Sequence, residues 1–186
     1  MYVLNEDTIW LADPGSLTGG VFRTTNGGGS WVQQASFSVN PDKIYFYNAR
    51  IGYIGNVDVH YIRKTTDAGA TWNLIVSNES FKDIYFIDSL TGWRAYAGMN
   101  KTTDGGISWI NQPMPPIIGG ITELTKFSVL NKDTIWGVGG AAQYPNLQVR
   151  GVIYTTTNGG SNWFYQVPDT TIRLPEYTNI EFINKL

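Results

Sequence analysis

Cysteine is absent from this 186-residue chain, which excludes disulfides, cysteine nucleophiles and thiolate zinc sites without choosing a compartment. Histidine is almost absent. His60, in Val57-Asp58-Val59-His60-Tyr61, is the single copy, and without a second nitrogen or sulfur ligand it makes a poor transition-metal site. It reads as a packed or solvated strand residue, and no metal or cofactor is expected. Charge is sparse too: Asp, Glu, Lys and Arg are 15% of the residues and the formal net charge is −2. Nothing in that balance favours nucleic acid. The thirteen Lys and Arg are scattered, which argues equally against an anionic membrane surface. No apolar run approaches the roughly 20 residues of a membrane-spanning helix. Met1-Tyr2-Val3-Leu4-Asn5 lacks the basic start and apolar stretch of a secretory signal and reads as the opening of a strand. Sustained 3.6-residue periodicity is missing throughout.

What the chain does contain is repetition. The eight-residue pattern T-T-[DN]-x-G-x-x-W, here termed the box, occurs four times. The copies run Thr24 to Trp31, Thr65 to Trp72, Thr102 to Trp109 and Thr156 to Trp163. Their Asx residues, Asn26, Asp67, Asp104 and Asn158, stand 41, 37 and 54 positions apart, within or near the roughly 40–50 residues of propeller-type repeats. Further elements recur in phase. Tyr2-Val3-Leu4-Asn5, Tyr45-Phe46-Tyr47-Asn48, Tyr85-Phe86-Ile87-Asp88, Ser128-Val129-Leu130-Asn131 and Glu181-Phe182-Ile183-Asn184 each close a β-prone run on a turn-forming Asn or Asp. An early aromatic residue follows in a second strand: Trp10, Tyr53, Trp93 and Trp136. A third strand enters the box, and the box Trp opens a fourth.

Four short strands per repeat at this period predict an all-β chain: a β-propeller of four-stranded antiparallel blades. The runner-up, a β-sandwich, has no reason to repeat one turn sequence four times. The blades are expected at residues 1–38, 39–78, 79–122 and 123–170, with 177–186 as the first strand of a further blade. That extra strand predicts a fragment of a larger propeller, or an arc completed by a second copy, with self-association through open blade faces as the corollary.

At the box the chain resembles the Asp-box, or bacterial neuraminidase (BNR) repeat, of form S/T-x-D-x-G-x-T/S-W/F. Asp67 and Asp104 match fully, while Asn26 and Asn158 replace the acid. The wider unit is similar to the repeats of photosystem II stability/assembly factor-like propellers. The resemblance covers essentially the whole chain and implies an extracellular, periplasmic or cell-surface location. It specifies architecture only. The physics of the motif agrees, since an Asx side chain accepts backbone N–H bonds and Gly28, Gly69, Gly106 and Gly160 suit φ > 0 where the hairpin reverses. Asn lacks the charge-assisted acceptor, so the outer boxes are expected to be weaker. All seven Trp sit at repeat positions, with Trp31, Trp72, Trp109 and Trp163 in the boxes, leaving none over as a sugar platform.

Propellers with Asp-boxes include glycosidases, so hydrolysis is the competing reading. A sialidase requires an arginine triad and a Tyr nucleophile, and its Arg-Ile-Pro signature is missing. Arg23 and Arg63 lie beside boxes and read as parts of the repeat. A xyloglucanase-like inverting mechanism requires two carboxylates roughly 6.5–9.5 Å apart, and none of the fifteen acids falls in a distinctive motif. The Gly-rich turns lack the Lys and helix of a phosphate-binding loop. The expectation is therefore a non-catalytic scaffold for a protein or glycan partner, the alternative being part of a sialidase- or xyloglucanase-like glycoside hydrolase.

Strand parity places the boxes and the first-to-second-strand turns on one face, and the longer, variable segments on the other. Those segments are the natural site for function on a rigid scaffold. Tyr144, Arg150, Arg173 and Tyr177 are non-repeat residues there, of types enriched at binding hot spots.

Overall fold

A computed structural model describes residues 1–15, 17, 19–96, 98–115, 120–143, 148–166 and 176–181. Among them lie four antiparallel four-stranded sheets and no helix. The first sheet holds β1 (Tyr2–Val3), β2 (Ile9–Asp13), β3 (Gly20–Thr24) and β4 (Val32–Ala35). The second holds β5 (Lys43–Phe46), β6 (Gly52–Asn56), β7 (Tyr61–Thr65) and β8 (Asn73–Ser77). The third holds β9 (Asp83–Phe86), β10 (Gly92–Ala95), β11 (Met99–Thr102) and β12 (Ile110–Asn111). The fourth holds β13 (Gly120–Val129), β14 (Ile135–Gln143), β15 (Gln148–Thr156) and β16 (Phe164–Gln166). In each sheet strands pair only with their sequence neighbours, the up-and-down order of a propeller blade.

Two local devices fix each sheet. The first hairpin closes on an Asx turn: Asn5 Oδ1 accepts the Thr8 N–H at 2.8 Å, Asn48 that of Ile51 at 2.8 Å, Asp88 that of Leu90 at 2.7 Å and Asn131 that of Thr134 at 2.8 Å. The box then folds back onto this hairpin. Gly27, Ala68, Gly105 and Gly159, each following the box Asx, donate their N–H to the carbonyls of Asp7, Arg50, Leu90 and Asp133 at 2.8–3.0 Å. Both turns therefore lie at the same end of every sheet, where strand parity puts them.

The chain divides into two compact units. One comprises Met1–Phe81 with the turns Asp88–Leu90 and Asp104–Ser108. Its core joins the first and second sheets: Trp10 stacks on Phe46 with ring centroids 3.9 Å apart, and Trp72 meets Phe46 edge-on at 5.9 Å. Val21 and Ile54 complete the buried cluster. In the other unit Trp93, Met99, Phe127, Ile135, Tyr154 and Trp163 form the equivalent core. Each blade thus buries an apolar face that it cannot bury alone.

The fourth sheet departs from the sequence reading. Residues 120–125, 139–143 and 148–151, which fall in segments read from the sequence as long and variable, are strand, so β13, β14 and β15 are nine or ten residues long where their equivalents have two to five. Inserted residues have lengthened the blade rather than looped out. Of the expected fifth copy of the first strand, residues 177–181 carry no strand pairing and 182–186 lie outside the described residues.

Candidate functional site

The box is a closed hydrogen-bond circuit. The buried Thr65 hydroxyl donates to Asp67 Oδ1 at 2.7 Å and accepts the N–H groups of Asp67 at 3.3 Å and Gly69 at 2.9 Å. Asp67 in turn accepts the Thr71 N–H at 2.8 Å and the Thr71 hydroxyl at 2.7 Å. These bonds hold its carboxyl at about 2, below the usual 3.8, led by the Thr71 hydroxyl, then the Thr71 N–H and the Thr65 hydroxyl. In the Asn boxes the amide oxygen does the same work: Ser30 and Asn162 donate backbone N–H to Asn26 and Asn158, each at 2.9 Å. Asp104 accepts both the N–H and the hydroxyl of Ser108. The residue after the Asx is left-handed in every copy, with φ of 65° at Gly27, 64° at Ala68, 73° at Gly105 and 67° at Gly159. Only Ala68 pays a side-chain penalty there.

The tryptophans that end the boxes differ in environment. Trp72 and Trp163 are 8% and 5% exposed. Trp109 is half-buried, edge-on to Phe86 at 6.0 Å and capped by the Arg94 guanidinium at 4.7 Å. Arg94 is itself fully buried, and desolvation lowers it to about 10. Trp31 stands apart at 41% exposed.

A second constellation is one the sequence reading passed over. The aromatic residue of each second strand faces, across the ladder, the residue immediately before the box: Trp10 opposite Arg23, Tyr53 opposite Lys64, Trp93 opposite Lys101 and Trp136 opposite Thr155. In the first three the cation lies over the ring, at 4.9, 5.4 and 5.2 Å. These pairs reach a single carbonyl type, that of the left-handed box residue. Tyr53 Oη and Lys64 Nζ donate to the Gly105 carbonyl at 3.0 and 2.8 Å, and Lys101 Nζ donates to Gly159 at 3.1 Å. Burial depresses Lys64, offset in part by Asp104, and raises the Tyr53 phenol. At Ala68 the donors are Trp10 Nε1 at 3.3 Å and Gln34 Nε2 at 3.2 Å. The signal was present in the sequence: a cation precedes Thr-Thr in three of four copies. Arg63 is not part of this set. It sits one position earlier, opposite Ile54, and donates to the Trp72 carbonyl at 3.4 Å.

Of the residues expected on the opposite face, Tyr144 and Arg173 lie outside the described residues. Arg150 is on strand β15, opposite Ala141 on β14, rather than in a loop. Tyr177 is half-buried and donates its N–H to the Gly139 carbonyl at 3.3 Å, while neighbouring Glu176 accepts the Thr125 hydroxyl at 2.6 Å. Tyr177 and Arg150 are thus both carried by the fourth blade.

Solved structures match this arrangement of sheets. YCF48 from Cyanidioschyzon merolae superposes over 96% of this chain and 61% of its own, with a TM-score of 0.64 at 13% identity. The fold is that of a β-propeller. A structure of YCF48 bound to D1 peptide matches over 88% of this chain and 44% of its own, with TM-score 0.51 and 20% identity. The GH74 xyloglucanase from Xanthomonas campestris matches over 87% of this chain and 28% of its own, with TM-score 0.60 and 15% identity. The chain therefore spans less than two thirds of the length of each of these three proteins. No protein-family model and no curated protein matches its sequence.

Proposed function

We propose that the chain is a non-catalytic propeller scaffold that binds a protein or glycan partner on the face opposite the boxes. The observation that carries this is the commitment of polar groups at the most repeated positions. Each box Asx oxygen is engaged in its own turn, and the cations before the second and third of the turns that follow, Lys64 and Lys101, are spent on backbone carbonyls. The non-repeat residues Tyr144, Arg150, Arg173 and Tyr177 are left as the candidate contact set, and the lengthened fourth blade supplies a rigid base for it. A YCF48 propeller bound to D1 peptide supports protein as the partner class. The resemblance of the boxes to the Asp-box repeat, with the extracellular, periplasmic or cell-surface location it implies, supports a place outside the cytoplasm.

The second reading, a portion of a glycoside hydrolase, is favoured by the likeness to the GH74 xyloglucanase. The deciding experiment presents the 186-residue chain with a random peptide library, a glycan array and, separately, xyloglucan and sialosides. Retained peptides or glycans that are lost on Tyr144→Ala with Arg150→Ala, at an unchanged melting temperature, are the expected result. Cleavage of xyloglucan or a sialoside by the chain overturns the scaffold reading in favour of the enzyme.

A further inference from the structure

The first blade contains a cation that its repeat position does not use. At the Ala68 carbonyl, the counterpart of those that engage Lys64 and Lys101, the donors are Gln34 Nε2 and the Trp10 indole N–H, which is shared with Gln34 Oε1 at 3.1 Å, and Arg23 does not donate there. Its guanidinium instead lies over Trp10, with Nε buried and without a hydrogen bond. Beside it opens a cleft of about 220 Å³ lined by Arg23, Thr25, Ser30, Val32 and Gln34. Where the second and third boxes carry a carboxylate, this box carries Asn26, which adds no negative charge next to the cleft.

We propose that this cleft is a binding site for a single carboxylate, with Arg23 as the anchoring cation and the hydroxyls of Thr25 and Ser30 at its rim. A guanidinium offers parallel N–H donors that match the two oxygens of a carboxylate. The Trp10 stack fixes the plane of that fork in advance, which lowers the ordering cost of binding. A phosphate dianion fits less well, because Arg23 is the single cation among the described lining residues, in a chain of net charge −2. The cleft adjoins the box, so it stands apart from the contact set proposed above and does not depend on it.

The test uses the full chain and follows the Arg23 Nε–H signal by NMR during titration with acetate, with isosteric acetamide as the neutral control. A saturable shift with acetate and none with acetamide is expected. Arg23→Gln should weaken acetate binding, followed at the Trp10 indole N–H, by roughly tenfold to a hundredfold, as befits loss of hydrogen bonds to a charged group. Asn26→Asp restores the acid of the other boxes, keeps the turn that Asp67 forms, and is expected to weaken acetate binding without loss of fold. Two five-residue peptides then separate the sources of the carboxylate: one amidated with a central Glu, the other Glu-free with a free C-terminus. Equal responses to acetate and acetamide, or acetate binding unchanged in both variants, overturns the proposal.

Discussion

The first and second boxes share a turn and differ in almost everything around it. Both use a buried Thr hydroxyl, Thr24 or Thr65, to hold the Asx oxygen and the N–H of a left-handed glycine, with matching distances of 2.7–3.0 Å. Yet Trp72 is buried beneath the Trp10–Phe46 stack, whereas Trp31 is 41% exposed and Val3, in register with Phe46 in the repeat, is 53% exposed. Ala68 has its carbonyl held by two side-chain donors from the first sheet. The difference teaches that the turn is a local product of eight residues, while burial of its Trp is supplied by the sheet ahead of it.

That division makes ordered predictions. The largest effect belongs to Trp72→Ala, which should destabilise the chain by about 3–5 kcal/mol in denaturant unfolding. Trp31→Ala should cost about 1 kcal/mol or less, as for a surface position, and equal costs would break the comparison. Next come Thr65→Val and Thr24→Val. Each leaves the same turn N–H groups without an acceptor, so each should cost roughly 1–3 kcal/mol, and a large gap between them would show that the turn is not locally determined. Smaller still, Ala68→Gly should stabilise by about 1 kcal/mol by relieving the left-handed side chain, with Gly27→Ala costing a similar amount in the other direction.

The least effect is in pH. The Asp67 carboxyl is held at about 2 in the fold against an ordinary 3.8. A depressed carboxyl contributes stability that is fully present above its unfolded value and is lost as pH falls through its folded one. Melting temperatures of the chain and of Asp67→Asn should therefore differ by a constant amount from pH 7 to about 4 and converge between about 4 and 2. Asn26→Asp should acquire the same pH-dependent window, and its absence would mean the charge is not what separates the two boxes.

The blades were legible because their punctuation is local. An Asn or Asp ending a β run, then Thr-Thr-Asx-x-Gly, announces two turns whose bonds close within a few residues, so periodic sequence maps directly onto periodic structure. What escaped was set across strands or between sheets. The pairing of Trp10 with Arg23, Tyr53 with Lys64 and Trp93 with Lys101 needs the register to bring residues thirteen, eleven and eight positions apart face to face. The unequal exposure of Trp31 and Trp72 needs the neighbouring sheet. The long fourth blade misled for another reason: Ala141, Ala142 and Gly151 carry little β signal, and pairing across the ladder, on both sides for the two alanines, overrides their weak propensity.

Each box after the first takes its carbonyl donors from the sheet that comes before it in the chain, so this hydrogen-bond support runs one way. Damage to the first sheet strips support from the second box, while damage to the second box leaves the first sheet's own turns intact. The turns of the first two sheets are therefore polar even though the Trp10–Phe46 packing is mutual: losing the Trp10 and Gln34 donors should loosen the second box, whereas losing the second box should leave the first box's own bonds in place.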